Sequence, residues 1–135
     1  MFETFEHTAD IGVRGIGKTV EEAFTECAKA MFSIMFDLEN ITPCKEIKIT
    51  CESTDLESLL VSFLNELLTE MDLEGIVFKD FKVTINDNKL TAIALGEEFN
   101  PEKHHPKTEV KAATYSQVKV EKTNDHWIAQ CIVDV

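Results

Sequence analysis

Two stretches of helical periodicity, and only two, punctuate this chain of 135 residues. In the first, Thr19-Val20-Glu21-Glu22 has the form of a capping box, and Val20, Ala23, Phe24, Cys27, Ala28, Met31 and Met35 fall on one stripe. This predicts a helix from Val20 to Phe36. In the second, Thr54-Asp55-Leu56-Glu57 is another capping box, and Leu56, Leu59, Leu60, Phe63, Leu64, Leu67, Leu68 and Met71 recur at threes and fours until Gly75, a fitting C-cap. A doubly wound parallel sheet needs a crossover helix for nearly every strand pair, so two helices are too few for one. The remainder alternates: Ile47, Ile49 and Cys51; then Phe81, Val83 and Ile85; then Leu90, Ala92 and Ala94, the last two runs joined through Asn86-Asp87-Asn88. A second hairpin is expected from Val110 to Val120 and from Trp127 to Val133, turning at Thr123-Asn124-Asp125. The expected architecture is α+β, with two helices packed on one face of a mostly antiparallel, hairpin-rich sheet and residues 1–135 forming a single domain.

Charge narrows the function. With 13 Lys+Arg against 25 Asp+Glu the net charge is −12, and a chain so acidic does not gain from counterion release on nucleic acid or from an anionic membrane. A cationic protein partner or a metal ion fits better, although solubility alone would also account for the charge. No apolar run approaches the roughly 20 residues of a membrane span, and Met1-Phe2-Glu3-Thr4-Phe5-Glu6 lacks the features of a signal peptide. A soluble, cytoplasmic protein is expected. Cys27, Cys44, Cys51 and Cys131 form no CxxC pair, so Cys27, Cys51 and Cys131 are read as buried apolar residues and Cys44 as a loop residue.

Three clusters carry candidate chemistry. Gly12-Val13-Arg14-Gly15-Ile16-Gly17-Lys18-Thr19 satisfies the phosphate-loop pattern G-x-x-x-x-G-K-[ST], with Asp134 as a candidate magnesium-side aspartate. The polar residues before Gly12 and the missing βαβ unit oppose that reading, leaving a strand followed by a turn. His7-Thr8-Ala9-Asp10 interrupts the apolar start, and Asp10 is either a turn residue or a metal ligand. Antiparallel pairing could set Asp10 beside Asp134 and the α-carboxylate of Val135, a hard oxygen set suited to calcium, magnesium or manganese rather than zinc. The third cluster, His104, His105, Lys107, Glu109 and Lys111, is a cationic island in an acidic chain. It reads as a partner-contacting loop rather than a catalytic centre, because no nucleophile with a paired base can be picked out.

The blocks His7-Thr8-Ala9-Asp10-Ile11-Gly12 with Gly17-Lys18-Thr19, Asp55-Leu56-Glu57-Ser58-Leu59-Leu60 running into Leu64-Asn65-Glu66-Leu67-Leu68, Lys107 to Tyr115, and Ile132-Val133-Asp134-Val135 resemble the archease family. They are spread over nearly the whole chain. The resemblance implies a non-enzymatic accessory protein of RNA processing that activates an RtcB-type tRNA-splicing ligase, promoting its GTP-dependent guanylylation and multiple turnover. It also implies a divalent metal, calcium foremost and magnesium or manganese as alternatives, held by Asp10, Asp134 and the Val135 carboxylate. His7, His104, Lys107 and Lys111 are the candidate partner contacts. Competing expectations are a small phosphohydrolase using Gly12 to Thr19, and a general chaperone for RNA-modifying enzymes such as tRNA methyltransferases. Two positions depart from the family pattern: Ser116 stands where His is usual, and Phe63 where Trp is frequent.

Overall fold

A computed structural model describes residues 1–135. The chain opens with a hairpin, β1 (Phe2–His7) and β2 (Asp10–Gly17), where alternation alone suggests a single strand. Its two-residue turn is made by Thr8, whose φ of 49° is unusual for a residue with a Cβ. Helix α1 (Val20–Met35) follows, and the Glu22 N–H donates to Thr19 Oγ1 at 3.1 Å as the capping box requires. The reciprocal bond closes one residue upstream, from the Lys18 N–H to Glu22 Oε2 at 2.7 Å. After a 3₁₀ turn at Leu38–Asn40 come β3 (Lys45–Glu52) and α2 (Leu56–Glu74). Asp55, not Thr54, caps α2, accepting from the Ser58 N–H at 2.8 Å; Thr54 lies one residue too early. Gly75 ends α2 in the left-handed region at φ 65°.

Strands β4 (Ile76–Asn86) and β5 (Lys89–Glu98) form the expected hairpin, with positive φ at both Asp87 and Asn88. The polar stretch after it holds a four-residue helix, α3 (Pro101–His104), that helical periodicity cannot reveal. The expected arm from Val110 to Val120 is broken in two: β6 (Ala112–Ala113) and β7 (Lys119–Thr123) flank an irregular segment. Both pair with the last strand, β8 (His126–Asp134). Asn65 of α2 secures the open edge of β6, the one that faces away from β8. Its side chain donates to the Ala113 carbonyl at 3.1 Å and accepts from the Ala113 N–H at 2.8 Å.

The α+β class is as read, every strand pairing is antiparallel, and the strands divide into two sheets. The larger runs β1-β2-β8-β6 with β7 also on β8, and the smaller runs β3-β5-β4. Helices α1 and α2 each touch strands of both sheets, and Phe24, Phe32, Phe63, Phe78 and Phe81 interlock between them. Val13, Cys27, Ala129 and Cys131 join the same apolar cluster where α1 covers the larger sheet. Gly15 makes that contact close: a Cβ there would run into the backbone of Ala23 and Cys27.

Candidate functional site: an acidic sheet end

Pairing register builds the site. Strands β2 and β8 pair Arg14 with Gln130, Gly12 with Ile132 and Ile11 with Val133, so the next residues along each strand are Asp10 and Asp134. On the other side of β2, His7 pairs with Asp10. Strand side chains alternate between faces. Ile11, Val13 and Val133 therefore point into the core, while His7, Asp10 and Asp134 share the opposite face at the end of the sheet. From the far edge of β8, Ala112 pairs with Asp134 and the Lys111 N–H donates to the Asp134 carbonyl at 2.8 Å. His7 and Asp10, from one hairpin, are thus joined at one sheet end by Asp134 and Lys111 from far along the chain.

Cross-strand contacts hold this face behind the site. Arg14, the chain's single arginine, donates from Nε to Gln130 Oε1 at 2.8 Å and from Nη1 to Glu3 Oε1 at 2.6 Å, with its guanidinium 4.6 Å from the Phe5 ring centroid. Phe5 lies over Gly12, whose missing Cβ leaves room for the ring. Ile132 is buried yet outside the main apolar cluster, which fits its place on this second face. Arg14, Phe5 and Asn65 were not among the sequence-level candidates. Only the phosphate-loop pattern drew attention to the segment containing Arg14, and for a different role.

The fit of a divalent cation rests on the donors at this end. Asp10 is half-buried, Asp134 is exposed, and His7 Nδ1 is buried without a hydrogen-bond partner. No three His, Cys, Asp or Glu side chains are grouped to hold a metal ion. Two carboxylates and an unpartnered imidazole nitrogen are compatible with a hard cation only if other oxygens, such as the Val135 carboxylate, complete the set.

The phosphate-loop residues are placed otherwise. Gly12, Gly15 and Gly17 lie within β2 and pair with β8 at Ile132, Ala129 and Trp127, so their backbone is engaged in a ladder rather than a cradle. Thr19 is occupied as a helix cap.

The cationic island is also rearranged. His104 is fully buried, so it is no surface contact. Its Nδ1 accepts from the Asn100 N–H at 2.9 Å, its ring stacks on Phe99, and Nε2 lies 3.3 Å from Glu97 Oε1. Lys103 donates to Glu97 at 2.7 Å. The Lys103 ammonium and the Thr42 N–H hold the Glu97 carboxyl at about 2, well below its ordinary 4.5. Lys107 is exposed and pairs with Asp37 at 3.2 Å. Of the cysteines, Cys27 and Cys131 are buried, Cys51 is half-buried and Cys44 is exposed. Burial pushes Cys131 up to about 12 and Cys51 to about 11, which leaves both thiols protonated and unreactive at neutral pH.

Comparison with known proteins supplies the family. The sequence pattern of the Archease protein family matches residues 2–135. The chain belongs to the archease family. "Protein archease" of Thermococcus kodakarensis is 51% identical, with 99% of this chain and 98% of that protein covered. "Protein archease" of Pyrococcus furiosus is 52% identical with the same coverage. Among solved structures, the solution structure of Methanobacterium thermoautotrophicum protein 1598 superposes with a TM-score of 0.86 at 38% identity, covering 99% of this chain and 98% of that one. A Thermotoga maritima crystal structure described as "an archease, possible chaperone" superposes at 0.66 with 22% identity, covering 98% and 96%, and so shares the archease fold.

Proposed function

We propose that this archease is a non-enzymatic accessory protein that activates an RtcB-type tRNA-splicing ligase by direct contact, promoting the ligase's GTP-dependent guanylylation and multiple turnover in tRNA splicing. The reading is supported most by the register that brings His7, Asp10, Lys111 and Asp134 to one sheet end. In this reading Asp10, Asp134 and the Val135 carboxylate hold a divalent cation, calcium first and magnesium or manganese as alternatives. The cation's contribution is to screen carboxylates that would otherwise repel one another. The protein's own residues do the positioning: Arg14 and Gln130 lock the strand behind Asp10, and Asn65 fixes the strand that meets Asp134. The charge of −12 matches a basic, RNA-handling partner better than RNA itself.

A ligation assay with the matching ligase, with and without this protein, tests the proposal. Stimulated multiple turnover is expected, with loss of stimulation in Asp10→Ala and Asp134→Ala. No stimulation by wild type would sink it. Calcium, magnesium and manganese titrations against Asp134→Asn test the cation separately, and unchanged binding in the variant removes the metal from the reading.

The description of the Thermotoga relative as a possible chaperone favours one second reading, protection of RNA-modifying enzymes such as tRNA methyltransferases. Suppressed aggregation of such an enzyme without any gain in ligation is its signature.

A further inference from the structure

Beside the acidic sheet end, the C-terminal end of α1 carries two adjoining cavities of about 370 and 220 Å³. Phe36 and Lys107 line both, so the cavities form one groove with Phe36 on its floor. One cavity is lined further by Phe2 and Leu38, and the other by Met35, Met71 and Phe99. Phe2 and Phe99 are 36% and 41% exposed, two of the few large apolar side chains that the fold leaves in water. The ion pair between Lys107 Nζ and Asp37 Oδ1, 3.2 Å long, joins the two sides, and both of its side chains are more than two-fifths exposed.

The rim is anionic. Asp37 and Glu39 line the first cavity and Glu109 the second. Neither α1 nor α2 has a basic residue in its last turn, so neither helix offsets the partial negative charge of its own end. Lys107 is the one cation lining the groove, and it is already paired. An apolar groove in two parts, one bearing the exposed Phe2 and the other the exposed Phe99, with carboxylates around it, complements a protein segment whose apolar side chains flank a cation. The anionic rim disfavours nucleic acid and anionic lipid alike.

We infer that this groove is the docking site for a partner-protein segment in which two apolar side chains flank a lysine or arginine. One apolar side chain enters each cavity, and the cation takes Asp37 from Lys107. The segment from Lys107 to Lys111 ties the groove to the acidic end. The Lys107 N–H donates to the Met35 carbonyl at 2.9 Å and the Lys111 N–H to the Asp134 carbonyl at 2.8 Å. Four residues span at most about 14 Å, so one partner can engage both places at once. The inference rests on the accessory-protein reading only in requiring a protein partner.

Two measurements decide it. In the first, the matching RtcB-type ligase is titrated with wild type, Phe99→Ser, Asp37→Lys and the milder Asp37→Asn, with melting temperatures as the folding control. Binding about tenfold weaker in Phe99→Ser and Asp37→Lys is expected, as for loss of an interface anchor. Affinity equal to wild type in both overturns the inference. If wild type itself does not bind the ligase, the proposed function fails, and the groove is judged by the second measurement alone. There, methionine methyls are labelled with ¹³C and a synthetic peptide of the form Leu-Ser-Arg-Ser-Phe is added, against the same peptide with Glu in place of Arg. Met71 and the nearly buried Met35 line the groove, whereas Met31 is fully buried away from it and Met1 lines a different cavity. Shifts at Met35 and Met71 with the Arg peptide alone support the groove. No shift with the Arg peptide, or equal shifts with both, overturns it.

Discussion

Single residues decide how closely the larger sheet sits on its helix. Gly15 faces the α1 backbone at Ala23 and Cys27, atoms that cannot rotate away. The nearest atoms to a Cβ at Gly12 belong to the Phe5 ring, which can. Gly15→Ala is therefore expected to destabilise the fold by about 3 kcal/mol, and Gly12→Ala by less; chemical denaturation of the two variants checks the order. Glu97 gives a pH dependence of definite sign. Its folded value of about 2 lies below the ordinary 4.5, so the stability it contributes is present above 4.5 and lost as pH falls toward 2. Melting temperatures from pH 6 to pH 2 should fall more steeply for wild type than for Glu97→Gln. Equal slopes would show that the Lys103 and Thr42 contacts are not maintained in solution.

At the scale of elements, legibility followed the range of the forces involved. Helices α1 and α2 were readable because capping and apolar stripes are local, and the Asp87–Asn88 turn because positive φ at both central residues favours Asn and Asp. The first hairpin was missed because Thr8 occupies a positive-φ position where Gly or Asn would have announced a turn. Helix α3 is too short for periodicity, though Asn100 followed by Pro101 is a start signal, and the Asn100 side chain accepts from the Glu102 N–H at 3.0 Å. The break between β6 and β7 is a local turn, in which Thr114 Oγ1 accepts from the Ser116 N–H at 3.2 Å and Gln117 has a φ of 50°, with no Gly, Asn or Pro to announce it. The same division holds for the site. Asp10 and Asp134 could be named from chemistry, but the part of Arg14 depends on Gln130, far along the chain, and the burial of His104 on a local fold of Glu97, Phe99 and Asn100 around it that has no periodic signature. Asp55→Ala should lower the melting temperature by a few degrees, while Thr54→Ala should be nearly neutral, as thermal melts would show.

For the whole molecule, a charge of −12 on 135 residues means that the folded state works against its own repulsion. Most of the 25 acidic groups have no ion-pair partner, and the pairs that do form lie mostly at the surface, where each contributes little. Raising sodium chloride from about 0.02 to about 0.3 M shortens the screening length severalfold and should raise the melting temperature; an unchanged or lower value would mean that attractive pairs dominate. The order of the larger sheet has a further consequence, for folding kinetics. Strand β8 is central, flanked by β2 on one side and by β6 and β7 on the other, yet it is the last element in chain order. Its pairing with β2 joins opposite ends of the chain, the type of long-range contact that slows folding. Until that pairing forms, the β1–β2 hairpin keeps an open edge and Asp10 has no neighbouring Asp134. The end of the molecule that bears the candidate site is thus complete only in chains whose β8 has docked on β2, so a partner that reads this end selects for chains that have made the pairing.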